Sequence, residues 1–462
     1  MKATSLASDP VTDGLWAATL ISLPLVGVGL VRSTLGIDVG AGLQPAYLTL
    51  ALLWAWRLAG VVARERRRAL WEAVKDPGYR RVWIALVAVM GAVGISALGL
   101  WLAPSPVVRH EAWPRFLRQL IQLAVMVAFT VQAVLWTRGA ERWRRTGRWL
   151  AVGLATQLIY APLHALHTAG LADWVAALER VLASNPAILS GSEWLYLGGY
   201  TGVPRLRGSM CEPLYLGSFV LGVVPILLVV GRRWLAAAGV LLLVLTWSRG
   251  AWLGAAVGGV AWLVLRRRAG LPGSPGRARV PVLASLAGIV ALVVLMAGVD
   301  ALLLPLQRLG QVFDGSDWSN LTRVYGAQAA WRAFLLSPLV GVGWGQFAYH
   351  FYAVVDLSGL HSQFTWPVVS SVPLLILSET GLLGLGVATT ALAAGLRATW
   401  RRLRWATDPA ARRRLAAAAV AVVAMGVQML VFSQYNLPHL WVGLGLWLAA
   451  LIDADERPGG VA

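Results

Sequence analysis

A few charged residues stand in this apolar sequence where charge is costly. Arg249 separates two apolar runs in LTWSRGAWLG, and Arg323 opens the segment LTRVYGAQAAWRAFLL. Arg205 and Arg207 fall in VPRLRGSMCEPLYLGSF, where Glu212 and Pro213 mark the entrance to another apolar run. A guanidinium is planar and presents donors in a fork, so it can hold a phosphate through two parallel bonds. A carboxylate at a membrane edge can have its pKa raised into the range of a general base. Each residue also has a plainer use. Arg249 can snorkel from a tight turn, Arg323 can be a solvated surface residue, and Glu212 is favoured in a first turn by the helix dipole alone.

Phase narrows the choice between the loop arginines. Leu321, Val324, Gln328, Trp331 and Leu335 share one face of a helix for which Asn320 is a candidate N-cap and Pro338 a stop. Arg323 and Arg332, nine residues apart, lie half a turn out of phase, so only one of them faces a buried site. His164 and His167 could share a side without a third ligand, and His350 and His361 lack metal-site spacing. GVGWG at 341–345 reads as turn glycines, not a dinucleotide fingerprint. Asp314, Asp317 and Asp356 read as solvated loop acids. Glu379, inside an apolar run, is expensive unless paired or capping a helix break.

The elements that must position these residues are membrane helices. The chain has 462 residues, 58% hydrophobic and 13% charged, with a net charge of +19 and a mean hydropathy of +0.66. That profile belongs to an all-α polytopic membrane protein. The 24 tryptophans suit interfacial belts, and the single cysteine, Cys211, excludes an internal disulfide. Twelve spans are predicted, near 15–31, 43–63, 82–103, 116–136, 148–168, 210–230, 234–248, 250–265, 281–304, 371–396, 415–434 and 437–452. The first reads as a retained helix, not a signal peptide.

The segments 64–81, 138–148, 231–234, 266–279 and 397–414 hold 26 of the 40 basic residues against five acids, while the intervening loops are balanced. This alternation places both termini in the cytoplasm and the loops 169–209 and 305–370 outside. The positive charge is thus a topology signal with some attraction to anionic lipid. No aromatic-interleaved basic patch points to nucleic acid. The expected architecture is one polytopic domain over 1–462, with the partly helical loop 305–370 carrying part of the site and 169–209 as a second outer loop. With neither an internal repeat nor a broken midplane helix in view, a transporter or flippase is the weaker reading.

Four pieces taken in order, RLRGSMCEP, TWSRGAWLG, TRVYGAQAAWRAFLLSPLVGVGWGQF and VSSVPLLILSETGLLGL, resemble the O-antigen ligase and polymerase superfamily over about residues 200–396. The resemblance implies a GT-C-like membrane glycosyltransferase in the bacterial inner membrane, with its active site on the periplasmic side. Its donor would be an oligosaccharide linked to undecaprenyl diphosphate, and a second glycan its acceptor. It implies inverting transfer without metal or cofactor, and Arg249 and Arg323, with Arg207, as the diphosphate-binding residues. A polymerase of polysaccharide repeat units, working with a chain-length regulator protein, is the expected member. The alternatives are a ligase acting on lipid A core in lipopolysaccharide synthesis, or one acting on protein.

Ligases of this family carry His-Asn about nine residues before the Glu of the ETG motif. Here that place reads Ser370-Ser371. A serine is a poor proton acceptor unaided, so the base expected from the sequence is His361 folding in, or Glu212, or none.

Overall fold

The computed structural model describes residues 9–28, 44–61, 77–107, 111–168, 171–182, 205–210, 212–271, 318–354 and 369–454. Among these residues the chain is all-helical, with no strand. The helices are α1 (Pro10–Ser22), α2 (Pro45–Val61), α3 (Pro77–Ile95), α4 (Gly99–Leu102), α5 (Ala112–Trp136), α6 (Ala140–Thr168), α7 (Val175–Leu182) and α8 (Pro213–Val229). They continue with α9 (Arg233–Leu245), α10 (Arg249–Arg268), α11 (Trp318–Leu336), α12 (Phe347–Val354), α13 (Val372–Trp405), α14 (Pro409–Gln428) and α15 (Pro438–Asp453).

Among the described residues, five stretches are long and apolar enough to cross a membrane: Gly78–Leu102, Ala112–Trp136, Ala140–His167, Val372–Trp405 and Pro409–Val431. The helices Pro213–Val229, Arg233–Leu245 and Pro438–Asp453 are apolar but shorter. The twelve predicted spans are therefore seen only in part, and the one at 281–304 lies outside the described residues. The predicted pair at 234–248 and 250–265 is two helices, α9 and α10, joined by a turn at 246–248.

Large apolar side chains line the centre. Trp16 and Leu20 of α1, Phe129 of α5, Leu154 of α6, Phe219 of α8 and Trp447 of α15 belong to one continuous buried cluster. Alanines and glycines bring the backbones of α10 and α14 together, which is how helices pack when lipid offers no hydrophobic drive between them. Ala424 O of α14 would lie 2.5 Å from a Cβ placed on Gly254.

The bundle has two unlike ends. At one, Arg138 bonds both Tyr79 and Asp453, Arg402 donates to Leu451 O, and Arg412 donates to Ala269 O. The arginine-rich segments that the described residues cover gather there. The other end collects the start of α5, the turn at 246–248, the start of α8 and the 337–347 loop. Ser96 Oγ accepts from Trp344 N, and Gln428 of α14 donates to Leu214 O.

Candidate functional site

The α9–α10 turn sets Arg249. Trp247 takes a left-handed φ of 51°, alone among the described residues other than glycine, a conformation that costs about 1–3 kcal/mol. Burial of its ring, which lies 5.7 Å from that of Trp252, holds it there. The reversal completes in three residues. Ser248 then caps α10, its Oγ accepting from Ala251 N at 3.3 Å, and Arg249 is the first helical residue, half-buried. Gly250 serves contact, not bending: a Cβ there would meet Val431 Cγ2 at 2.8 Å.

The strap 205–210 runs across this turn. Leu206 N donates to Leu245 O at 3.0 Å, and Arg205 Nε donates to Thr246 O at 3.2 Å. Beyond the strap, Glu212 caps α8 from an extended conformation, with no side-chain bond back to the helix. The first turns of α8 and α10 touch, since a Cβ on Gly217 would lie 2.7 Å from that of Ala251. Burial pushes the Glu212 carboxyl above its ordinary range, while the Arg205 charge pulls it back. The turn thus gathers Arg205, Arg249 and Glu212: two cations and a carboxylate that retains a proton more readily than usual.

Arg207 points the other way. It is 1% exposed and pairs with Glu179 of α7, while its Nη1 donates to Gly208 O and Met210 O. Tyr160 donates to the same carboxylate, and His164 Nε2 stands 3.8 Å from it. Ser209 is tied to Gln157 and to Pro24 O. Arg207 therefore anchors the strap, and its neighbour Arg205 reaches the turn. Glu179 carried no signal beyond being one acid in a short amphipathic helix.

The 337–347 loop is built differently. Helix α13 breaks at Gly381, whose φ of 64° and ψ of −164° belong to a region open essentially to glycine alone. The loop fills the break. Val342 N and Gly343 N donate to Ser378 O and Glu379 O, while Leu382 N and Leu383 N donate to Pro338 O and Leu339 O. Every one of these bonds answers a backbone group that the broken helix would otherwise leave bare in an apolar setting. The sequence allowed a helix break at Glu379; the break falls at Gly381, in the first third of α13, and its signal was a glycine within ETG in a long apolar run. The glycines of GVGWG are turn residues as read, with φ of 72°, 101° and 80° at 341, 343 and 345.

Glu379, two residues before the break, caps the 337–347 loop and the start of α12. It is 3% exposed, and its two oxygens accept from Gly345 N at 2.8 Å and Phe347 N at 3.0 Å. Arg115, whose Nε donates to Gly345 O, adds a nearby positive charge. Trp344 packs at 4.9 Å on Tyr435, which donates to Gln119. Burial pushes the Tyr435 hydroxyl up and keeps it a donor. None of Arg115, Gln119 and Tyr435 stood out in the sequence.

Helix α11 departs from the sequence reading at its start. It has begun by Trp318, so Asn320 lies inside the first turn, not at the cap. It packs through Ala329, Ala330 and Ala333, and Val324, Trp331 and Leu335 point outward. The apolar stripe grouped in the sequence is the exposed face, and the helix packs through its small residues instead. Arg323 is half-buried and Arg332 exposed. Ser370 is half-buried just ahead of α13, where Ser371 is the N-cap. His361 lies outside the described residues. Among the described residues no three of His, Cys, Asp and Glu converge as metal ligands.

No curated protein matches the chain. The family model described as O-antigen ligase matches residues 234–387, a segment that holds Arg249, Arg323, Ser370 and the 337–347 loop with its broken helix. The match covers a third of the chain and likens that segment to the O-antigen ligase family.

Proposed function

We propose that this protein is an inner-membrane glycosyltransferase that polymerises repeat units carried on undecaprenyl diphosphate. The observation that carries the reading is the grouping of Arg205, Arg249 and Glu212 at the touching first turns of α8 and α10. It lies at the end of the bundle away from the arginine clusters, which supports a periplasmic site. Asp453 pairs with Arg138 at the other, arginine-rich end, which supports a cytoplasmic C-terminus.

In this reading Arg249 and Arg323 hold the donor diphosphate. A hydroxyl oxygen of the acceptor sugar attacks the anomeric carbon from the opposite face, and the bond from that carbon to the phosphate oxygen breaks. The guanidinium groups take up the negative charge that develops on the leaving diphosphate. The acceptor's proton passes to Glu212, with His361 the other candidate for that role. Arg207, committed to Glu179, acts on the strap and not on the substrate. Ser370 stands where the ligases have histidine, which favours a polymerase. The matched family's description favours a ligase acting on lipid A core, and that is the second reading.

Purified protein given only an undecaprenyl-diphosphate-linked repeat unit is expected to make a ladder of longer glycans, in the presence of EDTA. Product that forms only when a lipid A core acceptor is added would establish the ligase instead. Arg249→Ala and Arg323→Ala should each slow transfer about a hundredfold, the equivalent of about 3 kcal/mol, with the protein still folded. Lysine at either position should restore part of the rate, since a point charge cannot make the bidentate contact. Full activity in both alanine variants would remove the arginines from the site.

A further inference from the structure

At the arginine-rich end, far along α10 from Arg249, the helices α10, α13 and α14 enclose a groove of about 310 Å³. Val260, Val264, Leu396, Trp400, Ala419 and Val423 line it, and the lining is almost wholly apolar. Val260 is 62% exposed and Trp400 42%, so the groove opens to the side of the bundle.

Its end is cationic. Arg268 lies one turn beyond Val264, and Arg404 one turn beyond Trp400. Arg412 precedes Ala419 by two turns. The Arg268 guanidinium lies 4.6 Å from the Trp400 ring, and its Nε donates to Trp400 O at 3.5 Å. Arg412 Nη1 donates to Ala269 O, at the C-terminus of α10. The nearby carboxylate of Asp408 pairs with Arg414 at 3.6 Å and accepts from Ala410 N and Ala411 N. Among the described residues no carboxylate pairs with Arg268, Arg404 or Arg412.

An apolar channel open to the side, ending at three cations beside a half-exposed tryptophan, fits an amphiphile with an anionic head. We propose that the groove seats an acyl chain of an anionic glycerophospholipid, with Arg268, Arg404 and Arg412 around its phosphate. A zwitterionic lipid would match the channel and not the charge. A free phosphate ester would match the charge and leave the channel empty. The lipid would brace α10 against α13, the helices whose far segments carry Arg249 and the break at Gly381. This inference rests on membrane residence alone and stands apart from the proposed transferase reaction.

Native mass spectrometry of the full-length protein, with thermal unfolding in neutral detergent, tests it. Phosphatidylglycerol is expected to remain bound and to raise the unfolding midpoint. Phosphatidylcholine and glycerol 3-phosphate should do neither. Arg404→Gln, at an exposed position, should weaken phosphatidylglycerol binding at least threefold. Arg268→Gln combined with Arg404→Gln should weaken it at least tenfold. Ala261→Phe, which fills the groove and leaves every arginine in place, should also lose tenfold or more. Equal retention of phosphatidylcholine and phosphatidylglycerol would overturn the proposal. So would equal stabilisation by glycerol 3-phosphate, or undiminished phosphatidylglycerol binding in Ala261→Phe, which would reduce the effect to a diffuse attraction between lipid and the basic end.

Discussion

Two loops shape the candidate-site end of this bundle, and they are held by opposite means. The 337–347 loop is fixed to α13 by backbone bonds, four of them exchanged across the break at Gly381. The 205–210 strap is fixed mainly by side chains: Arg207 to Glu179, and Ser209 to Gln157 and Pro24. A backbone joint tolerates most side chains and depends on glycine wherever the chain must pass close. A side-chain latch tolerates the ordinary backbone and depends on matched charge. The sequence around each loop should therefore fail in a different way.

The backbone joint should show the largest effect. Gly381→Ala places a Cβ 2.4 Å from Leu339 C, in a conformation essentially closed to alanine. We expect it to abolish both glycan transfer and a monodisperse gel-filtration peak. A well-folded, active Gly381→Ala protein would mean that α13 can close its break.

Next comes the latch. Glu179→Gln leaves Arg207 buried beside a neutral group, which costs about 3–5 kcal/mol. Tryptophan-detected unfolding should show a clearly lowered midpoint. Arg207→Met combined with Glu179→Leu should recover much of it, because a matched apolar pair carries no orphan charge. Without that recovery the pair would be more than a latch.

Glu379→Gln should be milder for folding. The amide oxygen still accepts one of the two backbone N–H groups, and one buried donor is left poorly matched, at about 1–3 kcal/mol. A loss as large as that of Glu179→Gln would show that charge, and not the hydrogen-bond count, holds the backbone joint.

The smallest effect concerns pH alone. Burial raises the Glu212 pKa and Arg205 lowers it. If Glu212 is the base, transfer increases as pH rises through that pKa. Arg205→Gln removes the lowering charge, so the pKa moves up and the acid limb of the rate profile shifts to higher pH. The plateau rate should change less than the position of the limb. An unmoved limb would take Glu212 out of the base role.

What could be read from the sequence follows the same division. The helical class, the alternating arginines, the turn glycines of GVGWG and the need of Glu379 for partners were all legible, because each depends on local residue type and spacing. The partner of Arg207 was not, since Glu179 lies 28 residues away in the chain. Nor was the aim of α11: periodicity grouped Val324, Trp331 and Leu335, and only the surroundings decide whether such a stripe meets protein or lipid. Among the site arginines, the sequence marked Arg207 and Arg205 together and could not say which one the fold would spend on the strap.

The break in α13 has a consequence for how the protein is made. The 337–343 segment leaves the ribosome before α13 does, so the groups that complete the helix are waiting when it arrives. Until Leu382 and Leu383 are synthesised, Pro338 O and Leu339 O have no partner from α13. Loop closure and insertion of α13 are then a single step of biogenesis, one that the chain cannot take until the first third of that helix has been made. A nascent chain stalled before residue 382 should leave this loop open to protease, and one released after α13 should protect it.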